Sequence, residues 1–262
     1  GFRVTLLPAD EHGLVRVADA EAAINEETAV VSIMTVNNET GARQPVEEIG
    51  AVARSRGALM HTDAVQALGH EDIRLAEWPV DLASFSSHKV GGPTGVGLLY
   101  VRDGTPFRPL LHGGPQERGR RAGTENVPAV AAFARALELA CAEREERTRQ
   151  ISRVRDALLA GFAAELPEGS WAVNGHPDKR VPHILNVSFP GVPSATMVMN
   201  LDLEGVAVSA GSACSAGSLR PSHVLAAMGL PEERVRSAVR FSFGLGNTTE
   251  EAAKVAKLVA TI

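Results

Sequence analysis

The sequence is poor in cysteine and has no apolar run long enough for a membrane. Only Cys141 and Cys214 occur among its 262 residues, which argues against a disulfide framework and favours a reducing, cytoplasmic setting. No apolar stretch approaches the roughly 20 residues that span a bilayer. The opening residues GFRVTLLPAD lack the basic start and apolar core of a secretory signal. We therefore expect neither a spanning helix nor a secretory leader in this sequence.

Positive charge is not in excess either. The 26 Lys and Arg against 31 Asp and Glu give a net charge of −5, so the totals do not indicate a nucleic-acid-binding protein. Hydrophobic residues make up 44% and charged residues 22%, which is typical of a globular protein. The length suits one large or two moderate domains. We predict two, residues 1–140 and 141–262, divided within a long helical region over 128–166.

Short apolar runs alternate with helical patterns in the first half of the chain. Such an alternation predicts an α/β fold with a mostly parallel sheet covered by helices. The second half mixes strands and helices and predicts a smaller α+β domain. Ligands of parallel sheets bind beyond the carboxyl ends of the strands. The polar residues predicted at those ends are Asn37, Asn38, Asp63, Ser86, Ser87, His88 and Lys89.

The stretch HTDAVQ ends a predicted buried strand with an aspartate. The carboxylate of Asp63 can keep a pyridine nitrogen protonated, as pyridoxal phosphate requires to act as an electron sink. Gln66 can reach the hydroxyl of the same ring. The alternative is a plain structural role, because an aspartate after a strand commonly caps a helix.

The stretch SFSSHKVGGPTGVG places a lysine between a strand end and a glycine-rich turn. Small hydroxyl residues and closely approaching backbone around Lys89 suit a Schiff-base lysine with phosphate donors beside it. The alternative is a surface lysine that precedes a β-hairpin.

Two further residues can bind the carboxylate of an amino acid. Asn38, in VNNETG, follows a strand, and Arg240 lies on the late strand of VRFSFG. The arginine offers a two-pronged donor, and in its apolar setting it needs a partner. A structural ion pair is the alternative.

Cys214 lies among small residues in SAGSACSAGS. Serine, alanine and glycine cannot build the apolar surroundings that a buried structural cysteine prefers. Gly211 and Gly217 permit large backbone changes, which suits a thiol that moves between a buried site and an acceptor. The alternative is an inert thiol in a flexible connection. Cys141 follows a helical pattern and is interpreted as an ordinary helix residue.

These motifs together resemble one known family. SIMTVNNETG, MHTDAVQALG, SFSSHKVGGPTGVGLLYV, HGGPQERGRRAGTEN, PHILNVSFPG and SAGSACSAGSLRPSHVLAAMG follow the order found in cysteine desulfurases. The resemblance covers the whole chain. It implies the type I fold of pyridoxal phosphate-dependent transferases within the class V aminotransferases, the conversion of L-cysteine to L-alanine, and a persulfide on Cys214.

The resemblance also implies roles for individual residues. Lys89 and Cys214 are the implied catalytic residues, and no metal site is implied. The implied cofactor-binding residues are Lys89, Asp63, Gln66, Ser86, His88, Asn38 and Thr124, the last reaching the phosphate of a neighbouring subunit. Asn38 and Arg240 are implied to bind the substrate.

The resemblance implies a homodimer that passes sulfur to an acceptor protein such as an iron–sulfur scaffold or a thiolation partner, with no nucleic acid or membrane involved. The family's chain continues upstream of Gly1, where it carries a phosphate-binding loop and a ring-stacking histidine. We expect this chain to be truncated at that end relative to the family. Three alternatives follow: a class V aminotransferase, a selenocysteine lyase, or a catalytically silent part of the fold.

Overall fold

The computed structural model describes residues 1–211 and 221–262, and the chain forms two compact units. One, which we call the four-stranded unit, comprises Ala20–Thr35 and Val46–Glu143. The other, the three-stranded unit, comprises Gly1–Asp19, Val36–Pro45 and Arg144–Ile262. The predicted domains 1–140 and 141–262 remain a prediction.

The four-stranded unit is built on a mostly parallel sheet, as the sequence predicts. Its strands are β1 (Val30–Met34), β2 (Leu59–Asp63), β3 (Leu82–Ser86) and β4 (Gly97–Val101), in the spatial order β1-β2-β3-β4. The β1–β2 and β2–β3 pairs are parallel, and the β3–β4 pair is antiparallel. Burial alternates along β1 to β3, because successive side chains of a strand point to opposite faces.

Helix α2 (Val46–Ser55) packs against β1 and β2 through one apolar face. Its buried residues recur at the helical spacing of three and four. The helix begins directly after Pro45 and ends just before Gly57, whose φ of +74° suits only glycine. At Gly50 a side chain would meet the carbonyl oxygen of Pro79 at 2.5 Å, so this close helix contact requires glycine.

The three-stranded unit contains an antiparallel sheet with β6 in its centre. The strands are β5 (Ala172–Asn174), β6 (Ile184–Ser188) and β7 (Ala238–Ser242), and every residue of β6 is buried. One face of this sheet joins the core formed with helices α5, α6 and α9, which are Arg144–Glu165, Ser194–Leu203 and Thr249–Val259. Phe162 lies in that core and meets the rings of Trp171, Phe189 and Phe241 at centroid distances of 5.6, 5.5 and 5.7 Å.

The remaining helices are shorter, apart from α4. They are α1 (Val17–Ala23), α3 (Gln116–Gly119), α4 (Val127–Ala142), α7 (His223–Ala227) and α8 (Glu232–Arg236), with a 3₁₀ turn over Ser87–Val90. Within residues 1–211 and 221–262, no helix has the length and apolar character to cross a membrane.

In three places the sequence pattern predicts an element that the structure does not form. The segment Phe2–Leu7 has the pattern of a strand but is not one, and Phe2 is 89% exposed. The region 206–211, VAVSAG, also has the pattern of a strand but contributes one isolated bridge, from Ser209 to Arg240. The long helical region over 128–166 is two helices, because Glu143 takes φ −100° and ψ 5° and bonds back to Leu139 and Cys141. The pattern of hydrophobic residues does not show whether a neighbouring strand is available for pairing, nor where a long helix is interrupted.

Truncation of the central core ring should destabilise the three-stranded unit strongly. Phe162→Ala leaves a cavity among aromatic rings and should lower the free energy of unfolding by about 3–5 kcal/mol. The matched control Phe2→Ala changes an exposed ring and should stay within about 0.5 kcal/mol. Urea denaturation followed by Trp171 fluorescence, in a Trp78→Phe background, measures both. Equal losses in the two variants would contradict this packing.

Candidate active site

Two parallel strands bring the predicted cofactor residues to one edge of the four-stranded unit. Strands β2 and β3 run in the same direction with Asp63 opposite Ser84, so their carboxyl ends meet. Asp63 is the last residue of β2, and Lys89 lies in the 3₁₀ turn directly after β3. Both side chains are exposed. The structure therefore places an amine and a carboxylate at the same sheet edge.

The 3₁₀ turn after β3 is shaped by the glycines that follow it. Gly91 has a φ of +83°, and its N–H donates to the carbonyl of Ser87. A side chain on Gly92 would collide with the hydroxyl of Ser87. The Ser87 side chain is buried and lacks a hydrogen-bond partner within the described part of the chain. The glycines therefore allow the chain to fold tightly behind Lys89.

Ser86 and His88 form a polar pair beside the lysine. The Ser86 hydroxyl and His88 Nδ1 are 2.7 Å apart. His88 is exposed and Ser86 is half-buried. A hydroxyl and an imidazole at a strand end can both donate hydrogen bonds to an anion, so this pair suits a phosphate group.

Asp63 also has a structural role, as the alternative interpretation expects. Its Oδ1 accepts from the N–H of Val65 at 3.0 Å, and its backbone carbonyl accepts from Thr35 N at 2.7 Å. These bonds fix the carboxylate at the strand end. Gln66 is half-buried in the turn that follows.

Thr124 lies in a different part of the four-stranded unit, the exposed segment before α4. Asn126 caps that helix by accepting from Ala129 N at 3.2 Å. Earlier in the same segment, Glu117 and Arg118 take φ values of +49° and +57°, which non-glycine residues seldom adopt.

His61 is a polar residue of this sheet that the sequence interpretation missed. Its Nδ1 lies 2.8 Å from the Ser32 hydroxyl and its Nε2 2.9 Å from the Ser84 hydroxyl. Burial lowers the pKa of His61 below 6.5, and the negative charge of Asp63 opposes this shift. The available signal was its position two residues before Asp63, since alternate strand residues share a face.

In the three-stranded unit, the two predicted substrate residues are in contact. Arg240 Nη1 donates to the backbone carbonyl of Asn38 at 2.8 Å, and its Nη2 lies 3.4 Å from the Ser209 hydroxyl. Arg240 and Asn38 are both half-buried. These bonds orient the guanidinium, while its role toward a substrate stays a prediction.

Cys214 lies outside the described residues, which resume at Pro221. Gly211, the last described residue before that gap, and Pro221 and Ser222, the first two after it, border a cavity of about 750 Å³. Glu39 also lines this cavity, although the sequence interpretation did not select it.

Comparison with known proteins identifies the family. The model of the aminotransferase class V family matches residues 1–255. The chain belongs to the class V aminotransferase family. This finding confirms the predicted fold class and the resemblance that the motifs carry.

Within this class V family, the curated relatives are named as cysteine desulfurases. The chain is 44% identical to cysteine desulfurase IscS of Clostridium botulinum, over 96% of this chain and 63% of the relative. It is 45% identical to the putative cysteine desulfurase IscS 1 of Bacillus subtilis, over 100% of this chain and 69% of the relative. A solved NifS-like protein matches with a TM-score of 0.91 and 37% identity, over 100% of this chain and 68% of that one. The chain thus spans about two thirds of the length of these class V proteins.

The lowered pKa of His61 predicts that the stability of the fold depends on pH. Folding lowers the pKa of His61, so the unfolded state binds more protons than the folded state at pH values between the pKa in the folded state and 6.5. The contribution of His61 to the free energy of unfolding is therefore fully present above this pH range and is lost as the pH falls through it. His61→Gln should flatten this dependence, whereas His112→Gln, at an exposed site, should keep it. Urea midpoints at several pH values measure the slope, and an unchanged slope in His61→Gln would contradict the assignment.

Proposed function

We propose that this protein is a cysteine desulfurase that converts L-cysteine to L-alanine and holds the released sulfur as a persulfide on Cys214. The observation that carries the proposal is that Asp63 ends β2 and Lys89 lies in the turn after β3, the parallel strand next to it. Its support comes from the relatives named cysteine desulfurases. The thiol of Cys214 is the feature that an aminotransferase does not need.

The residues at this edge fit pyridoxal phosphate, the cofactor of the class V family. Lys89 offers an amine for covalent attachment, and Asp63 offers a carboxylate for the ring nitrogen. Ser86 and His88 offer phosphate donors, while Gln66 would contact the ring hydroxyl. When bound, the cofactor supplies an electron sink that labilises bonds at the α-carbon of an amino acid.

Lys89 moves the proton in this proposal. It is exposed, and the part of the chain that the structure describes gives it no ion pair. Its Nζ can therefore approach the substrate and take the proton from the α-carbon, as a general base. Asp63 is held by its bond from Val65 N and would bind the ring nitrogen.

Arg240 orients the substrate. Its Nη1 and Nη2 are held by the Asn38 carbonyl and the Ser209 hydroxyl. A guanidinium in a fixed plane binds a carboxylate through two parallel hydrogen bonds. The substrate carboxylate is therefore assigned to Arg240.

Cys214 acts as the nucleophile toward sulfur. Its thiolate forms a bond to the sulfur of the substrate while the Cβ–Sγ bond of the substrate breaks, and the electron pair of that bond stays with carbon. Carbon then takes up a proton, so that cysteine and the enzyme thiol become alanine and an enzyme persulfide. An unperturbed thiol has a pKa near 8.5 and is only slightly ionised at neutral pH, so this step benefits from local deprotonation.

The finer assignments belong to the same proposal. A homodimer would bring Thr124 of one subunit to the phosphate bound by the other. The persulfide would pass to an acceptor protein of iron–sulfur cluster assembly or thiolation in the cytoplasm. The name IscS of the similar proteins supports this choice of pathway.

Removal of the Lys89 amine tests the cofactor site. Lys89→Ala should abolish the visible absorbance band that forms when pyridoxal phosphate is added, and should lower alanine formation by about 10²–10⁴-fold. Lys254→Ala, at an exposed residue of α9, is the matched control and should change neither. A full band in Lys89→Ala, or none in the unsubstituted chain, would overturn the proposed cofactor site.

The two cysteines allow a direct test of the nucleophile. Cys214→Ser should bind the cofactor normally but form neither sulfide nor alanine from cysteine, because oxygen cannot accept the sulfur. Cys141→Ser, at the other cysteine, should keep the activity. Mass spectrometry after single turnover should find the added sulfur on Cys214. Full activity of Cys214→Ser would exclude this mechanism and favour other class V chemistry.

A further inference from the structure

Glu39 is a buried carboxylate for which the proposed mechanism has no use. It lies in the three-stranded unit and is only 2% exposed. Its Oε2 accepts a hydrogen bond of 2.5 Å from the hydroxyl of Ser222, which is distant in sequence. This short hydrogen bond links two parts of the chain that are remote in sequence.

Gly211 lies near the same carboxylate oxygen. A Cβ built on Gly211 would lie 3.5 Å from Glu39 Oε2 and 3.8 Å from the Cβ of Ser222. Gly211 and Ser222 therefore lie next to each other at Glu39. Gly211 is the last described residue before the stretch that carries Cys214, and Ser222 is the second described residue after it. The chain on both sides of that stretch therefore lies near one buried side chain.

The turn that holds Glu39 is itself fixed to the core of the unit. Asn37 Oδ1 accepts from the backbone N–H groups of Glu39 and Thr40, each at 2.9 Å. Asn186, on the buried strand β6, donates to the carbonyl of Glu39 at 3.2 Å. Asn174 in turn donates to Asn186 Oδ1 at 2.7 Å. The carboxylate therefore has a defined position relative to the sheet.

We propose that Glu39 is a positioning residue that fixes the chain after the Cys214 stretch through its bond to Ser222 and limits the chain before that stretch by packing beside Gly211. Cys214 is three residues beyond Gly211, and three residues of chain extend at most about 11 Å. A displacement of Gly211 therefore moves the start of the chain that leads to Cys214. The consequence for catalysis rests on the proposed function, whereas the position of Glu39 beside Ser222 and Gly211 does not.

Ser222 has a second role as a helix cap, and the experiment must separate the effect of this cap from that of the bond to Glu39. Its side chain also accepts from Leu225 N at 3.2 Å and caps α7. Ser222→Ala removes both the cap and the bond to Glu39, whereas Ser222→Thr keeps a hydroxyl for both. Thr248→Ala removes a comparable cap from α9, where Thr248 accepts from Glu251 N, and leaves Glu39 untouched. Glu39→Gln removes the charge with little change of shape.

The first measurement is hydrogen exchange of the peptides that cover residues 206–226, made on the full chain loaded with pyridoxal phosphate. Glu39→Gln and Ser222→Ala should each raise the exchange rate at Ser222 to Leu225 by about tenfold, as expected when a buried hydrogen bond is weakened or lost, and should also raise the exchange rate at Gly211, because the packing beside Glu39 loosens. Ser222→Thr and Thr248→Ala should exchange as the unsubstituted chain does. Unchanged exchange in Glu39→Gln and Ser222→Ala, or equal acceleration in Thr248→Ala, would overturn the inference.

The second measurement is the single-turnover rate of persulfide formation on Cys214. This rate should fall by about tenfold in Glu39→Gln and Ser222→Ala, while KM for cysteine stays unchanged because Arg240 is intact. A raised KM for cysteine with an unchanged rate of persulfide formation would overturn the positioning role. If the unsubstituted protein forms no persulfide, the proposed function fails, and hydrogen exchange still decides whether Glu39 positions the chain on both sides of the stretch.

Discussion

The parallel pairing of β2 with β3 is the constraint on which the cofactor site depends. Parallel strands end at the same edge of a sheet, so Asp63 and the turn with His88 and Lys89 are neighbours without any direct bond between them. The glycines after this turn let the backbone close behind it, since side chains there would collide or require a disfavoured φ. A change of strand register would separate the amine from the carboxylate.

The central strand of the three-stranded unit contains buried polar groups, which need hydrogen-bond partners. Asn186 and Ser188 of β6 are both fully buried, and unpaired polar groups in such a place are costly. They bond to Asn174, which also accepts from Arg234 at 2.6 Å. A network in which each member is bonded specifies one arrangement of the strands. That arrangement carries the turn with Glu39.

The sequence predicted those features that are encoded locally. Pro45 stands directly before α2 and Gly57 just beyond its end, and Thr248 with Glu251 forms a capping box at the start of α9, so these helix limits can be predicted from nearby residues alone. Features that depend on a distant partner were missed. The apolar segment Phe2–Leu7 has strand character but pairs with no strand in the described part of the chain. Strand pairing is a tertiary contact, and the alternation of residues cannot supply it.

The sequence by itself determined the family of this protein and the chemical types at its site: a lysine after one strand, an aspartate ending another, and a thiol among small residues. These follow from short motifs, whose residues are adjacent in the chain. Only the tertiary structure decided that Glu39 meets Ser222, or that burial lowers the pKa of His61. Both depend on which distant residues exclude water from a side chain, and that is fixed by packing and not by order along the chain.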